Sequence, residues 1–539
     1  MLARERIDHH YCEQDSQFYP IIFNWLSRIF LADYRQPVSG EYDMNQLRFS
    51  RTGEGENVSR ALQRLVILHT NDIHSHFDSM PKIARLIQHH RNMLTQDELL
   101  VIDCGDHLDR AYIETEGSDG AANIAVMNES GYDVAVPGNN EGLTFSIDSL
   151  ERLYGEQARF PVIGSNMRLK DSGVIPTWLK PYMILHKAKL KIGIIGVTVD
   201  FTDFYSLLGW DICDPLETVS QLVTKLRQEV DIVVVISHLG LPADERMAHH
   251  IPGIDLIFGA HTHHLLEEPL RIGQTTICAA GKFGDYVGKL ELVYDHAVQQ
   301  IISVEGSCME TREHADLPEI ETLIRRFRST SEDHLRQVVT KIEDRLDIDW
   351  REESRLGNLL ALGLREWCDA EIGLVNSGQL LDSLEAGDVS RGRLLEICPS
   401  PINPCRMILS GREIREALEL SLLPIYQDKP IRGYGFRGEV LGMLSVSGLR
   451  IEVNHSKPDM HKIEHIFIHG KELEAEQDVT IGTIDMFTFG IGYDVLSRGR
   501  DIRYYVPEFL RDVLLYQLGH PERIVASAQK HWIHTGKSV

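Results

Sequence analysis

Short apolar runs recur along the chain from residue 65 onward, and stretches with a helical period separate several of them. The helical stretches include Lys82–Leu94 and Leu216–Val230. Short apolar runs between helical segments are typical of buried strands, so the alternation predicts a layered α/β domain. In such a fold, catalytic residues are expected at the C-terminal ends of the strands. The predicted strands are Leu65–Leu68, Leu99–Ile102, Val134–Val136, Ile192–Val197, Ile232–Ile236 and Leu256–Phe258.

The segment before this pattern, residues 1–63, has a different character. It contains an apolar and aromatic stretch, Phe18–Tyr34, which Arg28 and Asp33 interrupt and which acidic residues precede. Because a basic leading region and a small-residue cleavage site are both missing, we do not expect a signal peptide. We predict an N-terminal extension, disordered or loosely packed on the body, with a docking amphipathic helix as the alternative.

Two further segments follow the first α/β pattern. Residues 309–339 are rich in Glu and Arg and have a helical period without a strand signal, so they predict a helical connector between domains. Residues 340–525 indicate a second, smaller domain of mixed α+β type. That domain opens with a predicted helix over Leu356–Trp367 and contains loops rich in Gly and Pro.

Composition narrows the function classes. The chain has 539 residues, of which 43% are hydrophobic and 25% charged, and this is ordinary for a globular protein of several domains. Its formal net charge of −25 argues against a nucleic-acid or anionic-membrane partner. Bound metal ions can still reverse the local sign for a small phosphorylated substrate. The eight cysteines form no Cys-x-x-Cys pair and no apolar run is long enough to span a membrane, so we expect a reducing, cytoplasmic location.

Side chains that can bind metals follow five of the apolar runs. Asp72 and His74 come after the first run, and if the strand continues that far, both side chains leave it on one face. The last run is followed by two histidines at the same spacing. Any one of these residues could instead cap a loop or pack as a neutral histidine, but the recurrence points to a shared divalent-metal site. The residues concerned are Asp72, His74, Asp106, Asn139, His238, His261 and His263.

The order of these motifs resembles that of the calcineurin-like metallophosphoesterases: Asp-x-His, Gly-Asp, Gly-Asn-x-Glu, His and His-x-His. The opening Thr70–His74 and three motifs of the second domain are similar to the 5′-nucleotidase branch. The resemblance covers roughly residues 64–510. It implies a four-layer α-β-β-α domain over residues 64–308 and a 5′-nucleotidase-like substrate-recognition domain over residues 340–525. The three motifs of the second domain are Glu353–Leu360, Val375–Gly378 and Leu409–Ile414.

Carried over residue by residue, the resemblance implies two divalent metal ions that share one ligand. One ion would be held by Asp72, His74, Asp106 and His263, and the other by Asp106, Asn139, His238 and His261. Two such ions can activate a water molecule and stabilise the attacking and leaving oxygens of an in-line displacement at phosphorus. Ligation by Asp, Asn and His without a thiolate suits Mn²⁺, Zn²⁺, Fe or Co.

The third motif departs from the family pattern, which has Gly-Asn-His-Glu and an Asp three places after the His. This chain has Asn140 and Leu143 at the two positions of that catalytic dyad. Asn140 can donate a hydrogen bond to a phosphoryl oxygen but cannot act as a general acid, and losing a positioned acid typically lowers the rate by about 10²–10⁴-fold. Three explanations follow. The leaving group needs no proton, as in a phosphoanhydride or aryl ester; His107 or His76 supplies the proton; or the chain binds phosphate with little turnover.

The second domain departs from the family as well. The family's Asn-Gly-Gly loop continues to a substrate-binding arginine, whereas here the loop that begins at Asn376 reaches Leu381. One partner of the aromatic pair that sandwiches the base falls near Leu441, and the other is Phe487 or Phe489. The candidate substrate contacts are Asn376, Gly378, Arg406, Arg432, Phe436, Arg437 and Phe487.

These features predict a dinuclear-metal phosphohydrolase that acts on nucleotides or nucleotide-like phosphate esters and anhydrides. The expected partner is a small phosphorylated substrate bound between the two domains. One alternative is a cyclic-nucleotide or other phosphodiesterase that uses the same metals. The other is a metal-dependent nucleotide-binding regulatory protein with weak catalysis, because Asn140 replaces the family's histidine.

Overall fold

A computed structural model describes Leu62–Thr535, and the extension predicted over residues 1–63 lies almost entirely outside these residues. Within the described range, every helix is too short or too polar to cross a lipid bilayer. The seven cysteines in that range are free thiols.

The first domain contains strands β1–β15 and helices α1–α8. Its strands are β1 (Leu62–Thr70), β2 (Leu99–Asp103), β3 (Val134–Ala135), β4 (Val162–Ile163), β5 (Met167–Leu169), β6 (Leu179–Lys180), β7 (Met183–Lys187), β8 (Leu190–Thr198), β9 (Trp210–Ile212), β10 (Ile232–His238), β11 (Leu256–Gly259), β12 (Leu270–Ile272), β13 (Thr275–Cys278), β14 (Tyr286–Asp295) and β15 (Gln300–Glu310). Its helices are α1 (Met80–Met93), α2 (Ile113–Ser118), α3 (Ala121–Ser130), α4 (Asn139–Thr144), α5 (Ile147–Leu150), α6 (Thr202–Leu207), α7 (Pro215–Leu226) and α8 (Leu241–His250).

Two large mixed sheets form the centre of this domain. The first has the order β15-β14-β1-β2-β3-β4-β6. Strands β1, β2, β3, β4 and β6 run parallel to one another, whereas β14 is antiparallel to both of its neighbours, β1 and β15. The second has the order β12-β13-β11-β10-β8-β7, with a parallel centre and antiparallel edges. A two-stranded pair of β5 and β9 lies outside both sheets.

Side-chain alternation along the strands produces the layers. In β10, Ile232, Val234 and Ile236 pack between the two sheets, whereas Val233 and Val235 pack in the outer cluster with residues of α7 and α8. Strand β1 divides its side chains between the inter-sheet core and the opposite outer cluster in the same way. Strands buried on both faces give continuous apolar runs. The predicted four-layer α-β-β-α domain is therefore confirmed.

Helix α9 (Pro318–Leu335) follows β15 and packs on the first domain. Its residue Ile320 is buried in that domain's core, and Phe327 packs against the same cluster. The approach is close at Gly117 of α2, where an added Cβ would lie 2.5 Å from Cβ of Ser331. The segment predicted as a connector thus forms a helix that belongs by its packing to the first domain.

The second domain contains strands β16–β26 and helices α10–α15. Its strands are β16 (Val338–Ile342), β17 (Ile372–Asn376), β18 (Gly387–Ser390), β19 (Pro404–Ser410), β20 (Leu444–Ser447), β21 (Leu449–Asn454), β22 (Ile463–Ile468), β23 (Lys471–Glu472), β24 (Asp478–Ile484), β25 (Arg500–Tyr504) and β26 (Trp532–Thr535). Its helices are α10 (Arg355–Trp367), α11 (Arg391–Ile397), α12 (Gly411–Ser421), α13 (Pro424–Gln427), α14 (Leu510–Leu518) and α15 (Pro521–Ala526). They surround a five-stranded sheet, β20-β17-β24-β19-β25, and a four-stranded sheet, β23-β22-β21-β26, while β16 and β18 form a separate pair.

The edges of the second domain differ from the predicted ones. β15 continues to Glu310 and β16 begins at Val338, so the prediction that residues 309–339 lack strands is wrong at both ends. β26 pairs in parallel with β21 and carries the domain beyond the predicted limit at residue 525. Most residues of β16 and β26 are partly or fully exposed, and neither strand therefore gives an apolar run in the sequence.

Candidate metal centre

The seven predicted metal ligands lie together where β1, β2, β3, β10 and β11 end. The first three strands are neighbours in one sheet and the other two are neighbours in the second sheet. Parallel strands place their carboxyl ends at one edge, so both sheets deliver polar side chains to a common point. Five strand ends from the two sheets therefore build one site from residues that are distant in the sequence.

The backbone that presents these residues is not extended. β1 ends at Thr70, and Asp72 and His74 follow it with φ angles of 51° and 47°. His261 and His263 also have positive φ, as does Asp106. The prediction that each pair shares one face of a continued strand is wrong, because the side chains converge through left-handed loop residues. Non-glycine residues in this region are uncommon and collect at functional sites.

The first group of donor atoms surrounds the Nε2 atom of His74. It lies 3.3 Å from Nε2 of His263, 3.9 Å from Oδ1 of Asp72 and 3.7 Å from Oδ2 of Asp106. Oδ1 of Asp72 is 3.5 Å from Nε2 of His263. Two imidazole nitrogens and two carboxylate oxygens at these separations match the spacing of ligands around a cation with bonds of about 2.0–2.2 Å.

The second group lies on the other side of Asp106. Its Oδ1 atom is 3.3 Å from Nε2 of His238, which is 3.2 Å from Oδ1 of Asn139. That amide oxygen is 2.8 Å from Nδ1 of His261. Asp106 therefore turns one carboxylate oxygen to each group of donors.

Hydrogen bonds outside the two groups fix the donors in place. Nδ1 of His238 lies 2.9 Å from the carbonyl oxygen of Cys104, and an N–H donated there leaves Nε2 free as a ligand. Both carboxylate oxygens of Asp72 accept from the backbone N–H of His261 at 3.1 Å. These contacts tie the first sheet's ligands to those of the second sheet.

Glu141 supports the centre although sequence reasoning assigned it no role. Its buried carboxylate accepts from the backbone N–H groups of Asp106 (3.1 Å), Leu108 (2.9 Å) and Gly138 (2.8 Å). At Gly138 an added Cβ would lie 2.1 Å from Oδ1 of Asp106, so the close approach of these two loops requires glycine. The fourth residue of the Gly-Asn-x-Glu motif is thus the clamp between two ligand loops.

The electrostatics of the site suit a divalent cation. Burial lowers the pKa of His261 to about 4 and that of His263 to about 3, so both rings are in the neutral form that binds metal. Burial alone would raise the pKa of Asp106, but the neighbouring His238 and His74 hold it well below its ordinary value. Burial would lower the pKa of His238, but Asp106 raises it to about 10, so a metal ion bound at this ring would displace a proton. Carboxylate, amide and imidazole donors fit divalent metals without any thiolate. Asp72, His74 and His263, and Asp72, Asp106 and His238, each offer ligand atoms within 4.8 Å of one another.

Asn140 and the two histidines considered as proton donors, His76 and His107, are engaged or buried. The amide nitrogen of Asn140 lies 2.9 Å from Nδ1 of His74. His107 is 1% exposed, and burial lowers its pKa to about 3, so the prediction of His107 as a catalytic acid is wrong. His76 contacts the hydroxyl of Tyr112 at 2.7 Å and stacks on Phe283 at 4.0 Å.

Asp109 is a site residue that the sequence did not reveal. Its Oδ2 atom lies 3.6 Å from Nδ1 of His74 and accepts a hydrogen bond of 2.5 Å from Nη2 of Arg437. Burial would raise the pKa of this carboxyl, but Arg437 and then His74 lower it to about 2. Arg437 is the predicted substrate residue that the structure brings to the site, although the partner it contacts is Asp109.

Other predicted substrate residues of the second domain lie outside the two groups of metal donors. Asn376 is buried and donates to the carbonyl oxygen of Leu441 at 2.8 Å. At Gly378 an added Cβ would lie 1.9 Å from a backbone carbonyl oxygen, so both loop predictions are corrected to packing roles. Arg406 lies on β19, where its charge acts on Cys368 and Tyr505 of the same domain. Arg432 is exposed and, among the described residues, forms no ion pair.

The aromatic prediction is also corrected. Phe436 is 4% exposed and Phe487 is fully buried, so neither ring offers a face to a substrate. Phe489, two residues further on, is 47% exposed and stacks on Phe204 of the first domain. Tyr434 is 58% exposed, and its ring centroid lies 6.1 Å from that of Phe489. The accessible aromatic pair is therefore Tyr434 and Phe489.

Comparison with known proteins agrees with this architecture. Residues 65–265 match the calcineurin-like phosphoesterase family, and residues 338–498 match the 5′-nucleotidase C-terminal domain. The chain is 36% identical over 460 residues to the uncharacterized metallophosphoesterase YunD of Bacillus subtilis, a match covering 85% of this chain and 99% of that protein. It is 23% identical over 478 residues to a 5′-nucleotidase of Vibrio cholerae, covering 77% and 82% of the two chains.

Solved structures share the fold. The NAD nucleotidase of Haemophilus influenzae superposes with a TM-score of 0.64 at 15% identity, covering 88% of this chain and all of that one. Calcineurin-like phosphoesterases use divalent metals, and the two donor groups around Asp106 are candidate ligands for them. The family and its neighbours are hydrolases of phosphate esters. By its two domains, their order and its similarity along nearly the whole length of a relative, the chain belongs to the calcineurin-like phosphoesterases with a 5′-nucleotidase C-terminal domain.

Proposed function

We propose that the chain is a dinuclear-metal hydrolase of nucleotides or nucleotide-like phosphate compounds, with a preference for phosphoanhydrides. The observation that carries the proposal is the position of Asp106, whose two carboxylate oxygens face different groups of donor side chains. A carboxylate is a natural bridge between two cations. The first group would hold one ion through Asp72, His74 and His263, and the second would hold the other through Asn139, His238 and His261.

Bound metal ions would supply an activated water and positive charge against the phosphoryl oxygens. The chain's own residues position the substrate. Asn140 is half-buried, and its amide nitrogen, which contacts Nδ1 of His74 and the carbonyl oxygen of Leu108, would exchange one of these partners for a phosphoryl oxygen. The guanidinium of Arg437 brings positive charge from the second domain to the edge of the site.

The leaving group must tolerate the lack of a general acid. Asn140 has no proton to transfer, Leu143 packs against the core, and His107 is buried and neutral. Anhydride and aryl leaving groups depart without protonation far more readily than ribose hydroxyls. A site without a general acid therefore favours nucleoside diphosphates and related anhydrides over AMP.

The organic part of the substrate would lie against the second domain. Tyr434 and Phe489 offer exposed rings, and the cationic side chain of Arg432 is exposed in the same loop as Tyr434. Rings and cations in a cleft are suited to a nucleotide base and phosphate. The names of the similar proteins, 5′-nucleotidase and NAD nucleotidase, support a nucleotide substrate.

The test is a substrate panel on purified protein with Mn²⁺. The panel contains AMP, ADP, a UDP-sugar, a cyclic nucleotide and bis-p-nitrophenyl phosphate. We expect release of phosphate or nucleotide from the anhydrides to exceed hydrolysis of AMP. A higher rate on the cyclic nucleotide or the diester would favour a phosphodiesterase instead. Nucleotide binding without turnover of any compound would contradict the proposal.

A further inference from the structure

An ion pair joins a loop of the second domain to the support of a metal ligand in the first. Nη2 of Arg437 lies 2.5 Å from Oδ2 of Asp109, and the two residues are 328 positions apart in the chain. The Asp109 side chain is 2% exposed and that of Arg437 is 26% exposed. An ion pair this well shielded is screened far less than a surface pair.

Asp109 is held rigidly on its own domain. Its backbone N–H donates to Oγ of Ser75 at 2.7 Å, and its Oδ1 atom accepts from the N–H of Ala111 at 2.9 Å. The other oxygen, Oδ2, faces both Nδ1 of His74 and the guanidinium of Arg437. One buried oxygen atom therefore lies between the outer nitrogen of a candidate ligand and a cation from the other domain.

Arg437 is held just as firmly on the second domain. Its backbone N–H donates to Oγ of Ser400 at 3.2 Å, and the preceding Phe436 is buried in that domain's core. At the following Gly438, an added Cβ would lie 2.3 Å from the carbonyl oxygen of Gly378. The guanidinium can therefore reach Asp109 when the two domains are apposed as in this structure.

We propose that Arg437 is a positioning residue of the metal centre, which acts through Asp109 on His74 and so couples metal affinity to apposition of the two domains. Asn140 contacts the outer nitrogen of His74 at 2.9 Å. Burial would lower the pKa of this ring, but Asp109, whose Oδ2 atom lies 3.6 Å from the same nitrogen, raises it and so increases the basicity of the ring as a ligand. Arg437 in turn fixes the carboxylate and balances its charge, because a buried carboxylate without a partner is costly. This inference rests on the proposed metal centre but concerns a residue outside both donor groups.

Coupling of this kind is reciprocal. If apposition of the domains raises metal affinity, bound metal must stabilise the apposed arrangement by the same free energy. The second domain would then report on metal occupancy, and occupancy would depend on a residue of the other domain.

A second ion pair between the domains provides the matched control. Arg511 of the second domain contacts Glu116 of the first at 3.0 Å, and its side chain is 8% exposed. Glu116 also pairs with Arg110, the residue next to Asp109, at 2.7 Å, and among the ion pairs of the described residues none joins these three side chains to that of Asp109 or His74. A variant of Arg511 weakens the interface without touching the support of His74.

The experiment measures Mn²⁺ binding to the full chain, without substrate, by competition with a chelating indicator. We expect Arg437→Gln and Asp109→Asn each to weaken binding of one Mn²⁺ by about tenfold to a hundredfold. The double variant should be no weaker than Asp109→Asn alone, since both act through one contact. Arg437→Lys should recover part of the affinity. Arg511→Gln should weaken binding clearly less than Arg437→Gln, because it loosens the apposition of the domains but leaves the contact between Arg437 and Asp109 in place.

A conformational readout accompanies the binding curves. Saturation with Mn²⁺ should compact the wild-type chain in small-angle scattering, and this response should be smaller in Arg437→Gln. Melting curves verify that each variant is folded. If Asp109→Asn does not fold, the variants of Arg437, which is partly exposed, are sufficient to test the proposal.

The outcomes separate the two proposals. Wild-type chain that binds no Mn²⁺ would contradict the proposed function. Wild-type binding with unchanged affinity in Arg437→Gln, or an equal loss in Arg511→Gln, would overturn the coupling alone. Additive losses in the double variant would also overturn it, because they would show that Arg437 does not act through Asp109.

Discussion

The ring of Phe204 in the first domain stacks on the ring of Phe489 in the second, with centroids 5.8 Å apart and planes inclined by 28°. Phe204 also contacts Tyr504, with centroids 4.3 Å apart. One domain thus covers part of an aromatic surface that the other domain presents. A base that stacks on Phe489 has to share that ring with Phe204 or displace it.

Opposite effects are therefore expected from the two phenylalanines. Phe489→Ala should raise the KM for nucleoside diphosphates by about threefold to tenfold, because it removes a stacking surface worth about 1 kcal/mol. Phe204→Ala should lower that KM, since it frees the ring face. Steady-state kinetics with ADP measure both, and inorganic pyrophosphate, which has no base, serves as the control substrate. If either variant changed the KM for pyrophosphate as much as the KM for ADP, the two rings would act on the domain interface and not on the base.

Replacement of Asp106 should remove activity with the fold intact. In Asp106→Asn the bridging position loses its charge, so we expect activity to fall by about a hundredfold or more and the bound Mn²⁺ to fall below the wild-type stoichiometry. Metal analysis after gel filtration and turnover of ADP provide the two measurements. Asp214→Asn is the control, because Asp214 caps α7 through the backbone N–H of Glu217 and is not one of the metal donors. Full activity in Asp106→Asn would exclude the bridging role.

The leaving group should govern the rate in the wild-type chain. Without a general acid, the rate on a series of aryl phosphates should fall steeply as the pKa of the leaving phenol rises. Restoring the family's residues in Asn140→His with Leu143→Asp should flatten this dependence. It should also raise the rate on AMP within the range of about 10²–10⁴-fold that a positioned acid supplies. Asn140→Ala gives the matched comparison, since it changes the same position without adding an acid. A shallow dependence in the wild type would mean that another group donates the proton.

Asp485 should make the stability of the second domain dependent on pH. Burial raises the pKa of its carboxyl from 3.8 to about 7, and the carboxylate oxygen accepts from the backbone N–H of Asn403 at 3.1 Å. Between these two values the folded chain holds a proton that the unfolded chain has released, so the free energy of unfolding falls as the pH rises. Each tenfold difference in proton affinity is worth about 1.4 kcal/mol.

The measurement compares Asp485→Asn with the wild type by thermal unfolding at about pH 5 and about pH 8. The variant should gain a few degrees relative to the wild type on going to the higher pH, because its amide stays neutral. Asp478→Asn, at an exposed position of β24, should show no such gain. A difference between variant and wild type that is the same at both pH values would refute the prediction.

The first domain and its metal ligands could be predicted because their signals are local. Buried strands give continuous apolar runs, and each ligand follows its strand directly, as His238 ends β10 and Asp106 follows β2. The loop conformation could not be predicted, since positive φ at His74 or His263 is imposed by the assembled site and has no signature in the residue type. Strand alternation consequently pointed to residues that do lie together in the structure, but through an incorrect local geometry.

Contacts between the domains were beyond the reach of the sequence for a different reason. Asp109 and Arg437 become partners through the relative placement of two domains, and nothing near either residue indicates the other. Phe487 and Phe489 show the same limit over a short distance. They lie in one 3₁₀ turn and differ by two positions, yet one is fully buried and the other is 47% exposed. Both residues are phenylalanine, so the residue type does not indicate which of the two is exposed.

Because α9 packs on the first domain, the linker that joins it to the second domain is very short. The helix ends at Leu335 and β16 begins at Val338, while the carbonyl oxygen of Gln337 already accepts from the N–H of Arg391 in the second domain. The linker near Arg336 would therefore act as a hinge when Asp109 and Arg437 move apart. The second domain would rotate about this hinge rather than slide, and a small rotation at the hinge would produce a larger displacement of the residues far from it.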